Sequence, residues 1–352
     1  MLLPLKLKVK TVNSLLKNVR DSNMELFRVV SMLLVLIVHA DYLALGRPTH
    51  IDALTSPTST ILRNFVEAIS IICVNCFILI SGWYGIKPKV KKISGLLFNI
   101  FFIYVISTLA YIAITGYQIE KDDIKAAFLL TKNMWFVKAY LFLYIISPVL
   151  NAFSENASKG QFLWVLSGLF FLQTLFGWTI IVVPYFAKGY SPLSFIILYL
   201  LSQYLHRYPC KLTSLSPKYY ILIYLSFVLI QTTLDFIQLR YGVGRRFHLN
   251  SYASPIVIME SVSLLLFFSK LSFKSKFVNW LGVSCFSAYL VHSTRCVVPF
   301  YLGYCKSFYE DGNIIGIACV VILTFSIGIL FDKIRIIIWK LISSKIWREQ
   351  VW

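Results

Sequence analysis

The chain has 352 residues, of which 58% are hydrophobic and only 14% are charged, and its mean hydropathy is +0.73. Soluble domains are about half apolar and about a quarter charged, so this composition excludes an ordinary soluble domain and indicates a polytopic membrane protein. The formal net charge is +19, but the basic residues recur in clusters between apolar runs. This distribution is typical of loops that flank membrane helices, and we expect no nucleic acid partner.

The first 23 residues mix leucine and valine with lysine and arginine, without the unbroken apolar core of a signal peptide. We expect residues 1–23 to form a basic amphipathic lead-in on the cytoplasmic membrane surface. A membrane-spanning helix needs about 20 mainly apolar residues, and about ten candidate segments follow. They cover residues 24–45, 61–86, 93–115, 134–152, 162–182, 191–206, 219–239, 252–270, 277–302 and 314–340.

The sequence therefore predicts an all-α, polytopic integral membrane helix bundle over residues 24–340, followed by a basic tail at residues 341–352. If the amino terminus is cytoplasmic, more lysine and arginine residues fall on the cytoplasmic side than outside, as the positive-inside rule requires. We expect a multi-pass protein of the cell inner (plasma) membrane, surrounded by the lipid bilayer, with both termini in the cytoplasm.

The first predicted helix places Arg28 and His39 at the two ends of an otherwise apolar run. Eleven residues of α-helix advance about three whole turns, so both side chains share one face and lie about 17 Å apart. A charge or an imidazole inside hydrocarbon is costly and indicates a functional site by default. The structural alternative is that Arg28 reaches the lipid headgroups while His39 bonds a neighbouring helix.

This Arg28 to His39 pattern, preceded by Glu25 and Leu26, resembles the first transmembrane helix of the membrane-bound acyltransferase family 3. Three further stretches agree in the same order, at residues 74–83, 134–148 and 281–292. Members of this family move acyl groups from acyl-CoA onto carbohydrates and related acceptors. The resemblance implies that His39 is essential for catalysis and that Arg28 supports the binding of acyl-CoA.

A second histidine, His292, lies about 15 residues into the predicted helix at 277–302, at a depth similar to that of His39. The two rings would converge if these helices pack together. Glu67, Lys138 and Arg295 fall near the same level and are candidate substrate contacts, although Lys138 and Arg295 fit equally well among lipid headgroups.

Two further residues stand out at membrane depth. Glu260, midway along the predicted helix at 252–270, could orient a catalytic histidine or balance a buried arginine. Trp135 falls at the predicted outer interface, where an aromatic belt is the ordinary interpretation and stacking on a sugar is the more specific one.

The second predicted helix ends with Ser81 and Gly82, close in depth to Arg28, and the lysines Lys89 and Lys92 follow. A glycine allows close backbone approach, and hydroxyl and ammonium groups bind phosphate oxygens. This stretch is a candidate landing site for a phosphorylated cofactor. Lysines on the cytoplasmic flank are common to membrane proteins, so they carry no weight alone.

Acyl transfer from a thioester to a hydroxyl needs a base for the acceptor proton, and histidine suits this task. His39 could act as that base or briefly carry the acyl group. The seven cysteines lie mostly in apolar segments and lack the partners of a metal site, so no metal is predicted.

The resemblance predicts an O-acyltransferase that moves an acyl group, expected to be acetyl, from cytoplasmic acetyl-CoA or another acyl-CoA to a cell-surface or exported carbohydrate. A proton- or solute-coupled transporter is the alternative, since it would use the intramembrane charges as a relay. A polysaccharide polymerase or flippase is a further alternative, although a polymerase would be expected to have a large outer loop.

Overall fold

The computed structural model describes residues 21–179, 183–243 and 248–346. All regular structure in these residues is helical, which confirms the predicted all-α class. The predicted lead-in falls outside the described residues up to residue 20, as does the predicted tail from residue 347 onward. Seven described segments are long and apolar enough to cross a membrane: Ser22–Leu43, Pro57–Tyr84, Val90–Thr115, Trp135–Asn156, Lys159–Trp178, Pro217–Arg240 and Ile314–Ile346.

We number the α-helices in chain order. They are α1 Ser22–Val38, α2 His50–Thr55, α3 Pro57–Ser70, α4 Cys73–Tyr84, α5 Val90–Thr115, α6 Lys121–Ala127, α7 Trp135–Asn156, α8 Lys159–Gln173, α9 Pro192–Arg207, α10 Pro217–Arg240, α11 Pro255–Lys270, α12 Lys276–Ser284, α13 Phe286–His292, α14 Val298–Glu310 and α15 Ile314–Ile346. A π-helical turn, His39–Leu43, continues α1.

The predicted count of about ten membrane spans is not confirmed. Two of the predicted spans are α9 and α11, which have 16 residues each and are shorter than the about 20 residues that a span needs. The prediction of one continuous helix at 277–302 is wrong, because this segment forms α12, α13 and the start of α14. Pro299 lies in the first turn of α14, where its missing N–H cannot continue the preceding helix.

Helix α1 lies at the centre of the bundle and packs against α3, α4, α11, α12, α13 and α15. Its side chains Phe27 and Leu36 are fully buried. Helix α12 approaches α1 closely at Gly282, where an added Cβ would lie 2.8 Å from the Cβ of Glu25. A glycine at this crossing therefore leaves room for the buried carboxylate of Glu25.

Helix α13 rests directly on α15. A Cβ added to Gly328 of α15 would lie 2.4 Å from the Cα of Ala288 in α13, so the two backbones are in contact. The Tyr301 hydroxyl of α14 donates a 2.7 Å hydrogen bond to the Leu36 carbonyl of α1. These contacts fix α13 and α14 relative to the centre of the bundle.

The substitution Gly328→Ala is expected to destabilise the protein, because the new methyl group would meet the backbone of α13, which cannot rotate away. Overpacking of this kind typically costs about 1–3 kcal/mol. Gly168→Ala in α8 is the matched control, since a Cβ there meets no atom within 4 Å. Thermal unfolding in detergent should show a lower midpoint for Gly328→Ala alone, and equal midpoints would contradict the close crossing.

Candidate active site

His39 and His292 are hydrogen-bonded to each other, although 253 residues separate them in the chain: Nδ1 of His39 lies 2.6 Å from Nε2 of His292. His39 opens the π-helical turn at the end of α1, and such turns are frequent at functional sites. His292 is the last residue of α13 and is 2% exposed, whereas His39 is only partly buried. The structure therefore brings together the two histidines that the sequence placed at one depth.

The hydrogen bonds of His292 define the protonation of both rings. Nδ1 of His292 lies 3.0 Å from the Ala288 carbonyl, which can only accept, so this nitrogen carries the proton. When His292 is neutral, its Nε2 has a lone pair and accepts a hydrogen bond from the N–H at Nδ1 of His39. Nε2 of a neutral His39 is then left unprotonated, which is the state that a general base requires.

A cavity of about 400 Å³ borders His39, and we call it the histidine cavity. Part of its wall is apolar, with Met32 and Val35 from α1 and Val74 from α4. Its polar lining, besides His39, includes Tyr42, Lys132, Asn133, Trp135, Tyr190, Tyr252, Tyr289, His292, Ser293 and Tyr301, and three phenylalanines, Phe77, Phe136 and Phe286, also line it.

Three aromatic residues form one wall of the histidine cavity. The ring of Trp135 lies 4.6 Å from that of Tyr190 and 5.9 Å from that of Tyr252, centroid to centroid. Asn75 donates a 3.1 Å hydrogen bond to the Tyr252 carbonyl and holds this wall to α4. Trp135 thus lines the histidine cavity, and substrate binding by it stays a prediction. Sequence reasoning missed both tyrosines.

The other predicted substrate contacts do not line the histidine cavity. Glu67 forms a 3.2 Å ion pair with Arg47, and Arg295 forms a 2.8 Å ion pair with Glu120. Lys138 donates a hydrogen bond to a backbone carbonyl in the loop before α7. These three side chains connect loops and helices around the cavity, and their role in substrate binding stays a prediction.

Glu260 is fully buried on α11 and does not line the histidine cavity. Within the described part of the chain, its carboxylate has neither a hydrogen bond nor an ion pair, so it contacts no histidine or arginine in that way. The structure therefore gives no support to its predicted role as the partner of a catalytic histidine.

A second cavity, of about 640 Å³, lies at the other end of α1, and we call it the cationic cavity. Four basic residues line it: Arg28, Lys91, Lys92 and Arg335. Ser81 also lines it, so the structure brings together three of the residues predicted to bind the cofactor, Arg28, Ser81 and Lys92. Lys91 belongs to the lysine cluster that the sequence placed at this level, whereas sequence reasoning missed Arg335.

Buried carboxylates hold both arginines of the cationic cavity. Nη1 of Arg28 lies 2.5 Å from Oε1 of Glu25. Arg335 donates from Nε and Nη2 to one oxygen of Asp332, at 2.9 and 2.5 Å, and Asp332 is completely buried. Because a guanidinium has five N–H donors, each arginine keeps donors for a bound anion. Four cations against two carboxylates leave the cavity with a net positive charge.

The other two residues predicted to bind the cofactor lie elsewhere. Gly82 is packed against α9, where an added Cβ would be 2.5 Å from the Tyr199 carbonyl oxygen. Lys89 precedes α5, and its backbone N–H donates a 2.9 Å hydrogen bond to the Tyr144 hydroxyl. Neither lines the cationic cavity. Their placement supports a structural role, and binding by them stays a prediction.

The two cavities thus combine a cationic surface with a separate imidazole whose Nε2 carries no proton when both rings are neutral. This arrangement suits a donor that carries phosphates at one end and a reactive group at the other. Residues 21–333, which contain Arg28 and both histidines, match the acyltransferase domain of acyltransferase family 3. Comparisons with curated proteins and with solved structures give no significant match. The family match covers most of the chain, and the protein therefore belongs to acyltransferase family 3, as a membrane acyltransferase.

Proposed function

We propose that this protein transfers an acyl group from acyl-CoA, held in the cationic cavity, to a hydroxyl of a cell-surface or exported carbohydrate in the histidine cavity. The hydrogen bond between His39 and His292 carries the proposal, because it leaves a base at the wall of a substrate-sized cavity. Family membership supports acyl transfer as the reaction and argues against the transporter and polymerase alternatives.

The cationic cavity supplies what the nucleotide end of acyl-CoA needs. Arg28, Lys91, Lys92 and Arg335 present ammonium and guanidinium donors to its phosphates. Trp339 lines the same cavity and offers an aromatic surface on which the adenine ring can stack. The uncharged pantetheine arm then extends along α1 toward His39, over about 17 Å.

His39 acts on the acceptor in the reaction that we propose. Its Nε2 takes the proton of the acceptor hydroxyl as that oxygen attacks the thioester carbonyl carbon. The tetrahedral intermediate collapses by breaking the carbon–sulfur bond, and the CoA thiolate receives the proton from His39. His292 is a positioning residue, since it accepts the hydrogen bond from Nδ1 of His39 and stabilises the imidazolium that forms.

The size of the histidine cavity supports a short acyl group. A volume of about 400 Å³ must hold both the acyl group and the reacting part of the acceptor. Acetyl is the smallest common acyl group and leaves most of this volume to the sugar. The aromatic wall of Trp135, Tyr190 and Tyr252 supports a ring-shaped acceptor, because flat rigid faces pack on rings at little entropic cost.

The distribution of charge supports one orientation in the membrane. The lysines of the loop between α4 and α5 lie at the end of the bundle that holds the cationic cavity. The positive-inside rule places this end in the cytoplasm, where acyl-CoA is available. Both termini would then be cytoplasmic, and the acceptor would enter from outside the plasma membrane.

His39→Ala is expected to lower kcat by about 10²–10⁴ and to leave CoA binding unchanged, because the base is removed at a distance from the phosphates. His292→Ala should lower kcat with little change in the KM for acyl-CoA. His292→Gln should restore part of the rate, since its amide oxygen can still accept from Nδ1 of His39. The assay measures transfer from labelled acetyl-CoA to crude cell-surface glycan by the purified protein.

Near-normal turnover by a folded His39→Ala variant would contradict the assignment of the base. Measuring CoA release in the absence of an acceptor tells whether His39 acts only as a general base or also carries the acyl group. A burst equal to the amount of enzyme would instead indicate an acyl-histidine intermediate.

The double variant Lys91→Ala/Lys92→Ala is expected to weaken CoA binding by roughly a hundred- to ten-thousandfold, because two charge-assisted hydrogen bonds are lost and each costs about 1.5–3 kcal/mol. The matched control is Lys87→Ala/Lys89→Ala, which removes two exposed lysines of the same cluster that do not line the cationic cavity. Arg28 is a less clean target because it also pairs with Glu25. Calorimetry should show a large effect for the first pair only. Equal effects would mean that bulk charge, and not the cavity, binds CoA.

The proposed orientation predicts which loops react with a membrane-impermeant maleimide in intact cells. Cys210 and Cys319 are the exposed native cysteines and would first be replaced. Lys121→Cys, at the end of the bundle that holds the histidine cavity, should then be labelled. Lys87→Cys should be labelled only after the membrane is permeabilised. The reverse pattern would overturn the orientation.

A further inference from the structure

The histidine cavity and the cationic cavity share three lining residues, and all three are phenylalanines: Phe77, Phe136 and Phe286. The ring centroids of Phe77 and Phe136 are 6.2 Å apart, and those of Phe136 and Phe286 are 6.4 Å apart. Rings at these separations are in direct contact. A single layer of aromatic side chains therefore separates the two cavities.

This aromatic layer is a barrier to the charged nucleotide end of an acyl-CoA but can let the uncharged acyl end pass. The phosphates carry charges, and a charge is costly to move between apolar rings, so the nucleotide stays in the cationic cavity. The thioester arm is uncharged and narrow and can pass if a ring rotates. Because the acyl group is the leading end of this arm, it must cross the layer before the thioester can reach His39.

We propose that Phe77, Phe136 and Phe286 form a selectivity filter that admits acyl-CoA donors according to the width of the acyl group. The inference rests on the proposed function, since it assumes that acyl-CoA binds in the cationic cavity. It adds a determinant that lies away from both the phosphates and the base: narrow acyl groups cross, and branched or aromatic ones are excluded.

Packing identifies Phe77 as the side chain that moves. Phe136 is 7% exposed and is held by the rings of Phe195, at 5.5 Å, and Tyr140, at 6.0 Å. Phe77 is only partly buried and lines both cavities, so its ring has space to rotate on either side. Side chains with such freedom change rotamer far faster than typical turnover.

The test compares the kcat/KM for isobutyryl-CoA, which is branched, with that for acetyl-CoA. Phe77→Ala should raise this ratio by at least about tenfold, the scale on which apolar pockets discriminate methyl groups. Phe77→Trp should lower acetyl transfer, because the larger ring narrows the passage between the two cavities. Phe65→Ala is the matched control, because Phe65 is also partly buried on the segment Pro57–Tyr84 but lines neither cavity.

Thermal unfolding would establish that each variant is folded. If Phe77→Ala does not fold, Phe286→Ala would be tested in its place. An unchanged ratio in a folded variant would overturn the filter, while acetyl transfer by the wild type would leave the proposed function in place. If the wild type transfers no acyl group from any acyl-CoA, both the proposed function and the filter are wrong.

Discussion

The hydrogen bond between His39 and His292 requires helices from opposite ends of the chain to pack so closely that the two ring nitrogens lie 2.6 Å apart. Packing on both sides makes this possible. Gly328 lets α13 rest on the backbone of α15, and the Tyr301 hydroxyl ties α14 to the backbone of α1. A side chain larger than glycine at residue 328 would push α13 away from α15, and His292 lies at the end of α13.

Two buried carboxylates of the same core, those of Glu25 and Asp332, are paired with arginines. Asp332 illustrates this, because it is completely buried and its Oδ1 accepts from both Arg335 and the Ser287 hydroxyl of α13. Removing one partner would leave a charge in an apolar interior, which is far more costly than the pair itself. One carboxylate thus orients a cation of the cationic cavity and anchors the helix that carries His292.

This architecture separates the cationic cavity from the histidine cavity. A cluster of cations needs water or counter-charges nearby, whereas electrostatic interactions at a reaction centre are stronger where water is excluded. The bundle places the two about three helical turns apart along α1, with an apolar layer between them. An extended donor with a charged and an uncharged end matches this arrangement.

Local patterns in the sequence predicted a large part of the fold. Long apolar runs identified all seven segments that are long enough to cross a membrane, because such helices satisfy their own backbone hydrogen bonds and need no partner to be recognised. Helical periodicity also placed Arg28 and His39 on one face of α1. The shorter helices α9 and α11 were also located, although they are too short for the predicted spans, and the breaks before and after α13 were not anticipated, since tertiary packing lets short helices lie within the bundle.

The sequence by itself determined the class of protein, the central helix and its Arg28 and His39. Only the tertiary structure decided which distant residues join them. It selected Arg335 and Tyr190 for the two cavities, and it placed Glu67 and Arg295 in ion pairs outside them. The physical reason is that a helix position and depth follow from local spacing, whereas a side chain's partner depends on how helices far apart in the chain cross.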